Sequence, residues 1–160
     1  MKVRDLMTKT VACCLPETNL AAAGALMWEI DCGVLPVVND QRKVIGMLTD
    51  RDACIALTTK DRRAAAIKVG EVVTSHVAVC GADDDIASVL GIMGREKVHR
   101  LPVVNKAGIL EGIISMNDIV LRAEKDSGRR RPAVSYEDVV HTLQEIYTHQ
   151  LRRRQPAAAA

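Results

Sequence analysis

Phenylalanine is missing from this chain of 160 residues, and one Trp and two Tyr are all the large aromatics it has. Proteins that hold single-stranded nucleic acid rely largely on stacking bases against such rings. The arginines gathered near the C-terminus therefore lack the companions that binding mode needs. They are read instead as a solvated linker and a helix end, and nucleic acid is not an expected partner. No apolar run approaches the roughly 20 residues that cross a bilayer, and no charged-then-apolar signal opens the chain, so neither a membrane partner nor secretion is expected. C-x-x-C pairs are absent. The five cysteines, Cys13, Cys14, Cys32, Cys54 and Cys80, are odd in number and lie mostly in apolar stretches. They read as reduced, partly buried thiols of a cytoplasmic protein, with a redox switch as the alternative. Walker loops, G-x-G-x-x-G loops and hydrolytic triad signatures are also missing. His141, Glu145 and His149 recur at four-residue steps of a predicted helix, but three groups spread over two turns make a solvated face rather than a closed metal site. No metal and no required cofactor are expected.

What the chain does have is one pattern, twice. Gly46-Met47-Leu48-Thr49-Asp50-Arg51-Asp52 returns 66 residues later as Gly112-Ile113-Ile114-Ser115-Met116-Asn117-Asp118. The offset holds without a gap for Val11 and Val77, Leu20 and Ile86, Pro36 and Pro102, and Asn39 and Asn105. Each copy reads as a strand end running straight into a helix, with the hydroxyl at the N-cap and the aspartate at the third helical position. As structure alone, this is close to a capping box. As chemistry, the same free N–H groups bind phosphate, the hydroxyl adds a bond, and the carboxylate can accept from both hydroxyls of a ribose. Two copies in register, each behind a Leu-Pro-Val-Val strand, favour nucleotide binding.

The remaining elements follow the same offset. Residues 3–7 form a lead-in turn or helix. A strand is predicted over 11–15, a helix capped by Thr18 with Leu20, Ala23, Met27 and Ile30 on one face, a hairpin from 34–39 and 44–48, and a helix over 50–57. Pro36 implies an edge position. A charged connector over 59–68 leads to the second copy: a strand over 77–80, a helix capped by Asp84, a hairpin from 100–104 and 110–114, and a helix from 116 to about 124. Each repeat is near the lower size limit for an independent core, so the halves should pack together. Residues 127–132 read as a linker. Ser135 with Asp138 starts a last helix, whose Val139, Leu143, Ile146 and Leu151 form a stripe that docks on the repeats or on a second subunit. Residues 125–160 hold seven Lys/Arg against four Asp/Glu, and residues 1–124 hold fifteen against sixteen, so the excess positive charge sits in the tail.

Leu35-Pro36-Val37-Val38-Asn39 with Gly46 to Asp52, and Leu101-Pro102-Val103-Val104-Asn105 with Gly112 to Asp118, resemble the cystathionine beta-synthase (CBS) domain, which occurs in tandem pairs called Bateman modules. The resemblance covers about residues 1–124. It implies an α/β fold of two strand-helix-strand-strand-helix repeats with pseudo-two-fold symmetry plus a C-terminal helix. Repeat 1 takes residues 1–60, a connector and repeat 2 take 61–126, and a basic linker and the terminal helix take 127–160. It also implies a stand-alone regulatory sensor, not an enzyme, that binds AMP, ADP or ATP in the cleft between the repeats and pairs into a homodimer, with a regulated partner protein. Leu20, Met27, Leu57 and Ile119 are the helical residues expected at that dimer interface. In such modules the motif aspartate holds the ribose, the hydroxyl contacts phosphate, and segments of the other repeat hold the adenine. Carried over, this places Ser115 and Asp118 with Thr8, Thr10, Ala12, Gly33 and Val34. It places Thr49 and Asp52 with Thr74, His76, Ala78, His99 and Arg100. His99-Arg100-Leu101-Pro102-Val103 resembles the phosphate-contacting segment of the gamma subunit of AMP-activated protein kinase. The equivalents in repeat 1 are Gly33 and Val34, so any such clamp is one-sided. The alternatives are a ligand-free dimeric interaction scaffold, or a binder of S-adenosylmethionine or NADH.

Overall fold

The structure is a computed structural model that describes residues 1–73, 76–126 and 132–153, with side chains described as far as Thr148. Two compact units are present. One joins Thr10–Val77 with Val104–Glu111, and the other joins Met1–Lys9, Ala78–Val103 and the chain from Gly112 onward.

In the first-repeat unit the order is α1 (Leu20–Glu29), β1 (Val34–Val38), β2 (Val44–Thr49) and α2 (Asp50–Lys60). Asn19 rather than Thr18 caps α1, because its side chain accepts from the Ala22 N–H while the Thr18 hydroxyl folds back onto the Leu15 N–H. The Leu20 N–H is bound to the Ile67 carbonyl, which sets the helix start one residue later than the spacing suggests. β1 and β2 are antiparallel, pairing Val34 with Thr49, Leu35 with Leu48 and Pro36 with Met47. The strand expected at 11–15 shrinks to a single parallel bridge between Cys14 and Val37. Cys14 donates to the Pro36 carbonyl at 3.0 Å and accepts from the Val38 N–H at 2.9 Å, a pattern that never calls on the N–H that Pro36 lacks. Leu35, Val37 and Leu48 form the core with Leu20, Ala23, Met27, Ile67 and Val69.

The second-repeat unit follows the same plan with α3 (Ile86–Glu96), β3 (Arg100–Val104), β4 (Leu110–Ser115) and α4 (Met116–Val120), then adds α5 (Tyr136–Arg153). The strand expected at 77–80 is again one bridge, between Cys80 and Val103. Asp85 is the N-cap of α3, and the expected cap, Asp84, instead accepts from the Gly81 N–H at 2.8 Å. α4 stops at Val120 rather than near 124, because the chain leaves the helix to pair Glu124 with Ser135. Ser135 and Asp138 close the capping box that starts α5. Three of the four α5 stripe residues dock on their own unit: Val139 and Ile146 are buried, and Leu143 packs, in a core with Val89, Leu90, Met93, Ile114 and Ile119, while the Leu151 side chain lies outside the described residues.

The lead-in segments trade places. Val3, in a 3-10 turn at Val3–Asp5, is fully buried in the second-repeat core, and Val69, in the matching turn at Val69–Glu71, is fully buried in the first. These cores also take Leu20, Met27 and Ile119, which removes them from any dimer interface; of the four expected residues Leu57 alone stays exposed. No helix among the described residues is long and apolar enough to cross a membrane.

Candidate functional site

Each motif folds as the box its residues dictate. Thr49 ends β2 in extended backbone and caps α2. Its hydroxyl accepts from the Asp52 N–H at 3.1 Å and donates to Asp52 Oδ2 at 2.7 Å, and its own N–H donates to that same oxygen at 3.0 Å. Ser115 and Asp118 repeat these bonds at 3.3, 2.6 and 2.8 Å. In both boxes the carboxylate spends Oδ2 on the helix start and keeps Oδ1 outside it. Both side chains are half-buried. A carboxylate so divided can accept a ligand hydroxyl without dismantling its helix.

The strand start lies beside each box. Val34 pairs with Thr49, and the Gly33 carbonyl accepts from the Asp50 N–H at 3.0 Å. A Cβ at Gly33 would come within 2.8 Å of Asp50 Oδ2, a contact that the exposed end of the Asp50 side chain could relieve by moving. His99 occupies the matching position, and its carbonyl accepts from the Met116 N–H at 2.9 Å. Burial pushes the His99 imidazole pKa down, and the neighbouring Arg100 guanidinium adds to the effect. The neutral ring that results can accept a hydrogen bond as well as donate one. Thr8 pairs with Ile113, two residues before Ser115, by bonds of 2.9 and 3.0 Å. Gly112 makes that pairing possible, since a Cβ there would sit 2.9 Å from both Met7 Sδ and the Thr8 carbonyl oxygen.

Asp52 also borders an open groove of about 200 Å³, completed by Ile55, Ala56, Thr59, Lys60, Glu71 and Val72. The Glu71 carboxyl is held below its usual range by the Lys68 backbone N–H and then by Arg62, whose guanidinium lies 2.7 Å away. The cysteines are all free. Burial pushes the Cys14 thiol up to about 11, with Cys13 adding, and the Cys80 thiol up to about 12, with Asp84 adding. A protonated, buried thiol is neither nucleophile nor metal ligand.

The family model of the CBS domain matches residues 3–58 and 69–125. This chain belongs to the CBS domain family. Hypoxic response protein 1 of Mycobacterium tuberculosis is 32% identical over 116 residues, spanning 72% of this chain and 80% of that protein. The crystal structure of hypoxic response protein I with two coordinated zinc ions is similar at a TM-score of 0.68 and 31% identity, covering 76% of this chain and 98% of that one. The CBS domain pair of protein MJ0100, in complex with 5′-methylthioadenosine and S-adenosyl-L-methionine, shares the fold at a TM-score of 0.69 and 21% identity, covering 76% of this chain and 94% of that one. Among the described residues of the present CBS pair, no three His, Cys, Asp or Glu side chains group closely enough to hold a metal ion.

The second CBS repeat gathers Thr8, His99, Arg100, Ser115 and Asp118 in one unit, with Ala78 packed against its core. The first holds Thr10, Ala12, Gly33, Val34, Thr49, Asp52 and His76; Thr10 and His76 are exposed and Ala12 packs on the core. Val34 is buried and paired with Thr49, which leaves little of it for a ligand to touch. Thr74 lies outside the described residues. The opening glycine of each CBS motif has a role beyond strand membership, because Gly46 and Gly112 leave room for the lead-in segments at Val73 and at Met7-Thr8. A glycine recurring at the head of both copies is the signal that marks it.

Proposed function

We propose that this CBS pair is a regulatory module that binds an adenine nucleotide, AMP, ADP or ATP, and is not an enzyme. Asp52 and Asp118 would read ribose hydroxyls, and Thr49 and Ser115 would contact phosphate. The observation that carries the reading is the duplicated box in which Oδ2 fixes the helix start and Oδ1 remains for a ligand. Arg100 supplies charge for phosphate, since a guanidinium binds it with two parallel hydrogen bonds, and the neutral His99 ring beside it can add an N–H donor. Gly33 and Val34 carry no charge at the equivalent place, so phosphate preference should rest on Arg100 alone. The adenosine-containing ligands of the MJ0100 pair support an adenosine moiety as the shared feature.

A thermal-shift panel of AMP, ADP, ATP, NADH and S-adenosylmethionine tests this. A ligand at 100 times its dissociation constant should add about 2.7 kcal/mol. Arg100→Ala should lower affinity for AMP while leaving adenosine nearly unchanged. The competing reading is a ligand-free scaffold. That reading expects no shift with any ligand in the panel.

A further inference from the structure

The C-terminal helix α5 reaches the candidate site as well as the core. It crosses α3 at Gly94, where a Cβ would overlap the Glu145 carboxylate and lie 3.1 Å from its Cδ. Just past the end of α3, the Lys97 ammonium donates to the Glu145 backbone carbonyl. Two residues further, the His99 ring meets the Tyr147 ring with centroids 5.4 Å apart and planes at 54°. The helix thus touches residues 94, 97 and 99 in succession. The last of these is the residue whose carbonyl holds the Met116 N–H at the start of the Ser115–Asp118 box. Val139 and Ile146 anchor α5 in the core, whereas Tyr147 is 45% exposed. Its ring serves the imidazole more than it serves the core.

We propose that Tyr147 is a positioning residue for the ligand site that includes His99 and Arg100, and that through it the docking of α5 is coupled to ligand occupancy. This rests on the reading of that site as one for an adenine nucleotide. A tilted aromatic contact holds the imidazole in one plane and covers one of its faces. A ligand phosphate then meets an oriented group rather than one that must be ordered on binding, which lowers the cost of association. The coupling is reciprocal: whatever affinity docked α5 lends the ligand, the ligand returns to the docking of α5.

The test uses the full chain, with AMP as the probe, in wild type, Tyr147→Phe and Tyr147→Leu. Calorimetry should show Tyr147→Leu weakening AMP roughly two- to tenfold, the range of an aromatic pair, with Tyr147→Phe close to wild type. AMP should slow amide hydrogen exchange across residues 140–148 in wild type and do so less in Tyr147→Leu. A merely structural tyrosine would lower the urea midpoint without making α5 exchange respond to AMP. Wild type that binds AMP while Tyr147→Leu binds it equally, or while α5 exchange ignores AMP, overturns the proposal and leaves the site standing. Equal losses in both variants would overturn the role of the ring. Wild type that binds none of AMP, ADP, ATP or S-adenosylmethionine overturns the reading of the site, and this proposal with it.

Discussion

At the scale of single residues, Asp52 and Asp118 each do two things with one carboxylate. Replacing Asp118 with Ala removes the box acceptor, which should cost about 1 kcal/mol of stability. It also removes a charged acceptor from the ligand, where each bond is worth roughly 1.5–3 kcal/mol. Affinity for AMP should therefore fall by more than stability does, as measured by calorimetry beside urea unfolding. Unchanged affinity would take Asp118 out of the site, and Asp52→Ala asks the same of the other repeat. His99 gives a pH signature. Burial, then Arg100, lowers its pKa below the ordinary 6.5. Between the folded and unfolded values the unfolded chain binds more protons. This contribution to stability is complete above pH 6.5 and is lost as the pH falls through the lower folded value. Urea midpoints between pH 5 and 8 should drop on the acid side, and His99→Gln should flatten that slope.

At the scale of elements, the α3–α5 contact explains a residue that helix propensity disfavours. Glycine inside a helix costs about 0.5–1 kcal/mol relative to alanine, yet Gly94 sits buried in α3 because α5 needs the room. Gly94→Ala should cost little, since the end of the Glu145 side chain can swing aside and improved helix propensity offsets the remaining tight approach, 3.3 Å, to the Glu145 Cβ. Gly94→Val cannot be relieved that way. Overpacking typically costs about 1–3 kcal/mol, and the loss should appear both in urea unfolding and as faster amide exchange in α5. A valine variant as stable as wild type would mean that α5 is not seated on Gly94. The same scale shows where reading by period falls short. Thr18 and Asn19 are both good caps, and the Leu20–Ile67 backbone bond chose between them.

At the scale of the whole molecule, the expected assembly is a homodimer held by apolar contact, because residues 1–124 are nearly neutral in charge. Its interface cannot use Leu20, Met27 or Ile119, which the cores consume. Trp28 on α1 is 89% exposed, and Ile55 and Leu57 on α2 are exposed as well. Light scattering at micromolar concentration should report a dimer that survives high salt, since screening acts on charge and not on apolar burial. Trp28→Arg should shift it toward monomer. A wild-type monomer throughout that range would remove the dimer from the account.

The sequence by itself determined the repeat, the hairpins, the helix that starts at Ser135 and both capping boxes. Each of these depends on neighbours a few residues apart, where spacing and residue type fix the partner: Thr49 reaches Asp52, and Ser115 reaches Asp118, whatever the rest of the chain does. The tertiary structure alone decided what depends on partners far along the chain. Cys14 and Cys80 form single bridges in place of the expected strands, because the β1 and β3 prolines present an acceptor and no donor. Val3 and Val69 exchange repeats, although their local patterns are alike, because each fits the core of the other copy. His99 meets Tyr147 across 48 residues of sequence, a contact set by where α5 packs and not by any local preference. Local periodicity carries no information about such pairs, and they are what links the C-terminal helix to the candidate site.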